Sequence, residues 1–121
     1  MARLLLPEEN VHPAVRDKLG AAHRDVVDAA LAALAQHPVV VLGMRGNPFV
    51  KRARAMLDAA SVRHHDIDHG SYLSGWRRRN ALKMWSGWPT FPMVFAKGRL
   101  IGGADDLAKL IASGELQRLL A

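Results

Sequence analysis

Val39 to Leu42 is a run of β-branched and aliphatic residues with no polar alternation. A strand that is apolar on both faces must be covered on both faces, so this run calls for a sheet with helices on either side. The next residues form a turn and then open a helix, because Asn47 is a good N-cap and Pro48 suits the first helical position. Val50, Ala53 and Leu57 then recur at helical spacing, with Lys51, Arg52 and Arg54 on the other side, giving a helix over about 48–60. The stretch VRHHDID (62–68) suits a second strand parallel to the first, joined to it by a right-handed crossover.

The rest of the chain falls around this unit. Residues 13–36 read as helix with a break near Gly20, and Val26, Val27, Ala30, Leu31 and Leu34 share a face. A further helix is expected over about 72–86, its first turn weakened by Gly75. PMVFA and RLIGG form a hairpin about Lys97-Gly98, and Asp105 or Asp106 opens a last helix through DDLAKLIASGELQRLL. The order is ααβαβαββα: an α/β chain with a four-stranded mixed sheet flanked by helices. Residues 1–22 form an N-terminal extension, helical in part, and 23–121 the main domain.

Half of the 121 residues are apolar, enough for one domain with a core of its own. Seventeen basic against eleven acidic residues leave a net charge of +6, which favours anionic partners. The count of zero cysteines excludes disulfides, thiolate metal sites and thiol chemistry by these residues. No apolar run approaches bilayer length and the opening MARLLLPEEN is too short for a signal-peptide core, so a cytoplasmic protein is expected, without a membrane partner.

The element order has the thioredoxin-like arrangement, and four strings narrow it. WPTFP (88–92), MVFAKGRLIGGADDL (93–107) and SGEL (113–116) closely resemble the monothiol glutaredoxins, and HPVVVLGMRG resembles that family's entry strand. The likeness runs from about Arg24 to Leu120. It implies a cis peptide bond before Pro92 and glutathione as ligand. By the same resemblance the γ-glutamyl end would be held by Gly102, Gly103, Ala104 and Asp105, and the cysteinyl backbone by Phe91 beside Thr90 and Pro92. The glycyl carboxylate would meet Arg79 and Arg45, which stands where the family has Lys.

The chain departs from the family at the turn. The family reads M-K-G-T-P, a short segment and then C-G-F-S-R-K; this chain reads MRGNPFVKRA. Either Asn47 occupies the cysteine position or a six-residue segment that carries the cysteine is deleted. In both registers the nucleophile is missing. Glutaredoxin catalysis needs a thiolate, which Asn, Ser or Thr cannot replace, and the family's bridging [2Fe-2S] cluster needs the same sulfur. No iron–sulfur cluster and no thiol–disulfide exchange are expected, and no catalytic residue is assigned.

The leading functional reading is a redox-inactive glutathione-binding module with a sensor, scaffold or interaction role, whose ligand is glutathione or a similar peptide-like anion and whose partners include another protein or a second copy. An alternative is a transferase-like enzyme in which Asn47 or Thr90 donates to the glutathione thiolate. A third is a basic interaction protein using Lys51, Arg52, Arg54 and Arg77–Arg79, with Trp76 and Trp85 as stacking surfaces, although nucleic acid is the weaker partner because such residues ordinarily coat helices. The string HHDIDH (64–69) puts His64, Asp66 and Asp68 on one face of a strand but lacks a fourth ligand, so no metal site is assigned. His23 and His37 are read as surface or cap residues.

Overall fold

A computed structural model describes residues 2–121. A short 3-10 turn, Glu8–Asn10, precedes α1 (Pro13–Ala21) and α2 (Arg24–Gln36); then follow β1 (Val39–Gly43), α3 (Pro48–Ala59), β2 (His65–Asp68), α4 (Trp76–Ser86), β3 (Met93–Ala96), β4 (Arg99–Gly102), α5 (Ala104–Ala112) and α6 (Glu115–Leu120). The sheet order is β2-β1-β3-β4, with β1 parallel to β2 and antiparallel to β3, and β3 antiparallel to β4. This is the thioredoxin-like arrangement expected from the sequence.

The Val39–Leu42 run is central and fully covered, as its composition demands. Val40 and Leu42 face a core with Val26 and Ala30 of α2 and Leu82 of α4. Val39 and Val41 face a second core built from Ala53 and Leu57 of α3, Leu107 of α5 and Leu116 of α6. Gly43 is the last residue of the strand, and a Cβ there would lie 2.6 Å from the Val50 side chain, so a larger residue would force Val50 or α3 to shift.

Several boundaries differ from the sequence expectation, each for a local reason. The break between the first two helices falls at Ala22 and His23, not Gly20, and His23 takes the left-handed conformation. On α2, Ala33 is buried in place of Leu31, which is 48% exposed. β2 begins at His65, three residues later than read, since only from there does it pair with β1. α4 starts at Trp76 because Ser71–Ser74 close a small turn and Gly75 follows it at positive φ. The last helix is two, broken at Gly114 in the left-handed conformation, and α5 opens at Ala104 ahead of both aspartates.

Candidate functional site

The site read from the sequence lies where β1 ends, α3 and α5 begin and the segment before β3 crosses. Asn47 connects the first two of these. Its Oδ1 accepts from the Phe49 N–H at 2.8 Å and the Val50 N–H at 3.2 Å, and the residue is buried. The amides at the start of α3, which at a helix N-terminus would favour an external anion, are therefore met from within. Arg45 stands exposed beside Asn47, while its backbone N–H donates to the Gly70 carbonyl.

The Phe91–Pro92 peptide bond is cis. Phe91 is 7% exposed, Thr90 is exposed, and neither the N–H nor the C=O of Phe91 has a hydrogen-bond partner among the described residues. Lys83 Nζ lies 5.9 Å from the Phe91 ring centroid. Beside this segment run Gly102, Gly103 and Ala104, all buried. A Cβ on Gly103 would come within 3.6 Å of the Pro92 carbonyl and 3.7 Å of the Trp88 ring. Gly102 has φ of 108°, and a side chain there would run into the Asp106 carboxylate.

The two adjacent aspartates divide their work. Asp106 Oδ2 accepts from the Gly103 N–H at 3.0 Å and caps α5, the task that the sequence leaves open between Asp105 and Asp106. Asp105 is exposed and pairs with Arg52 of α3 at 2.7 Å, a link across the cleft that the sequence reading missed, since 53 residues separate the partners. The N–H groups of Ala104 and Asp105 have no partner among the described residues.

Arg79 is neither a solvated member of a charge run nor a fully open cation. It is 8% exposed, and its Nη1 donates to the carbonyls of His69 at 2.9 Å and Ser74 at 2.6 Å. It thereby ties down the loop that passes beneath Arg45. Its Nε and Nη2 make no protein hydrogen bond among the described residues. Helical spacing could not reveal this, because the acceptors are main-chain groups of a loop.

The remaining basic residues are largely committed. Arg52 pairs with Asp105, Arg54 with Asp66 and Asp68, and Arg78 with Asp25, so among the described residues Lys51 and Arg77 are what remains without an ion pair in the clustered charge. Trp76 is 58% exposed, with the Arg77 guanidinium 5.2 Å from its ring, whereas Trp85 and Trp88 pack against the core. His64 Nδ1 and Nε2 lie 2.7 Å from Asp66 and Asp58 respectively, so the face shared by His64 and Asp66 forms an ion-pair cluster. No group of His, Asp or Glu among the described residues is arranged to hold a metal ion.

A four-stranded mixed sheet with a cis-proline before its first hairpin strand and a helix opening beside it defines the thioredoxin-like class. Within that class, the glutaredoxin family model matches residues 39–101, and the chain belongs to the glutaredoxin family. It is 39% identical over 94 residues to a glutaredoxin-like protein of Dictyostelium discoideum, covering 78% of this chain and 76% of that one. It is 36% identical over 85 residues to the bifunctional monothiol glutaredoxin-S16 of Arabidopsis thaliana, covering 66% of this chain but 28% of that protein. Among solved structures, a buckwheat glutaredoxin–glutathione complex superimposes with a TM-score of 0.72 at 25% identity, covering 82% of this chain and 90% of that one. The chain is thus a glutaredoxin-like protein related to the monothiol glutaredoxins, and it carries no cysteine.

Proposed function

We propose that this chain is a redox-inactive glutathione-binding module that acts through a partner. The observation that carries the reading is the set of unmet main-chain groups on two adjacent segments: N–H and C=O of Phe91 before β3, and N–H of Ala104 and Asp105 at the opening of α5. An extended peptide can pair with Phe91 as an added strand, and the opening of α5 suits a carboxylate. The exposed Asp105 carboxylate, whose Oδ1 pairs with Arg52, has its other oxygen to offer an α-ammonium. The free Nη2 edge of Arg79, with Arg45, would receive the second carboxylate. The glutathione named in the buckwheat complex is consistent with this division of charge.

Without a cysteine thiol, the chain has no group to attack a mixed disulfide or hold a cluster, so binding is what the site retains. The ion pairs of Arg52, Arg54 and Arg78 weaken the basic-surface reading. A cytoplasmic location, where glutathione is abundant, belongs to the same proposal.

The test is a heteronuclear NMR titration of the ¹⁵N-labelled chain with reduced glutathione. Saturable shifts at Phe91, Ala104 and Asp105 are expected, weakened by Arg45→Ala. Silence at these amides up to roughly 10 mM, a low-affinity limit on the usual scale, removes the proposal. Turnover in a mixed-disulfide reduction assay would overturn the redox-inactive half of it.

A further inference from the structure

A cavity lies at the end of the sheet opposite the candidate glutathione site, where the parallel strands β1 and β2 begin. Its volume is about 790 Å³, and it is lined by His37, Asp58, Ser61, Val62, Arg63 and His65 among others. Small-molecule sites range over roughly 300–1,000 Å³, so the space suits a ligand of nucleotide size. None of the residues assigned to glutathione borders it.

Three features give this cavity a chemistry. The imidazoles of His37 and His65 are stacked, with centroids 4.1 Å apart and planes within 4°. Parallel rings present their lone pairs in separate planes, so the pair is poorly arranged to chelate one metal ion, but it does make a flat aromatic platform. His65 is exposed on the edge strand, and its ring is held by stacking on a residue fixed at the end of α2. Arg63 is also exposed and enters none of the ion pairs among the described residues, so a cation stands open beside the platform. Asp58 gives Oδ1 to His64 and keeps its other oxygen, and the Ser61 hydroxyl makes no hydrogen bond among the described residues.

A flat ring to stack on, a cation next to it, and an acceptor and a hydroxyl at the rim match a planar heteroaromatic that carries donors and an anionic group. We propose that this cavity binds a nucleoside monophosphate, its base stacked on the His37–His65 pair, its phosphate on Arg63, and Asp58 or Ser61 taking a base amino or ribose hydroxyl. Base stacking on aromatic side chains is sequence-tolerant, so the site selects the class of ligand and not one base. The site is independent of the glutathione cleft.

The experiment is a ¹⁵N titration of the full chain with adenosine monophosphate, adenosine and inorganic phosphate in parallel. Saturable shifts at Val62, Arg63 and His65 are expected with the nucleotide, and the nucleoside and phosphate alone should each bind roughly tenfold more weakly. Arg63→Ala and His65→Ala should each weaken the nucleotide by roughly tenfold, while His65→Phe, which keeps a flat ring, should retain it. No shift with the nucleotide overturns the proposal. Equal responses to phosphate and nucleotide overturn it as well, since they would mark Arg63 as a plain anion site, and an equal response to adenosine removes the phosphate contact.

Discussion

The cleft and the β2 edge are held together in different ways. Around the cleft, polar side chains are spent on the main chain: Asn47 on two amides, Asp106 on one amide, Arg79 on two carbonyls. Along β2, side chains meet side chains: His64 with Asp58 and Asp66, Arg54 with Asp66 and Asp68. The first arrangement fixes backbone shape and owes little to pH or salt. The second is a charge network whose strength depends on both. The difference places the side-chain-to-backbone clamps where a peptide-like ligand would pair, with Arg52–Asp105 as an exposed ion pair beside them, and the denser charge network along β2.

The strongest test of this contrast is Arg79→Leu. It leaves the His69 and Ser74 carbonyls without their donor in a buried setting, and a loss of about 2–3 kcal/mol in urea unfolding is expected, little changed by added salt. A loss that salt erases would mean that Arg79 works as a surface charge. A smaller effect separates the two aspartates: Asp106→Ala should cost about 1 kcal/mol through loss of the α5 cap. Asp105→Ala should cost only about 0–0.5 kcal/mol, because its partner is an exposed Arg52. Equal costs would undo the assignment of the cap.

The mildest test uses pH. Burial by itself would lower the pKa of His64, but hydrogen bonds to Asp66 and Asp58, with their charges, raise it above the ordinary 6.5. A raised folded-state value stabilises the fold fully below the unfolded pKa, and that contribution fades as pH rises through the higher folded value. Stability measured from about pH 5 to about pH 9 should therefore fall across that window in the parent relative to His64→Gln. His69 carries the opposite sign: burial, helped by the Arg78 charge, lowers its pKa, so its contribution is present above 6.5 and lost as pH falls. A parent and a His64→Gln variant with parallel profiles would show that the His64 clamp does not form in solution.

Much of the fold was legible in the chain, because it follows from local chemistry. Val39–Leu42 reads as a strand covered on both faces and Asn47-Pro48 as the opening of a helix, and both form there. The hairpin turn at Lys97-Gly98 adopts positive φ at both residues, as the glycine suggests. The misjudged boundaries lie where non-local contacts decide. β2 starts where β1 can reach it, and α4 starts after a turn closed by Ser71 and Ser74.

The candidate site divides along the same line. Which residue types surround the cleft, the glycine pair beside an acidic one, the proline after Phe91, and the missing cysteine are properties of the sequence alone. How each is used depends on partners distant in the chain. Only the tertiary structure gives Asp106 the cap and Asp105 a cross-cleft ion pair, turns Arg79 inward to a loop, and stacks His37 on His65. Periodicity and propensity report a residue's own backbone and its nearest helical or strand neighbours. A hydrogen bond between groups dozens of positions apart exists only once the sheet has brought them together.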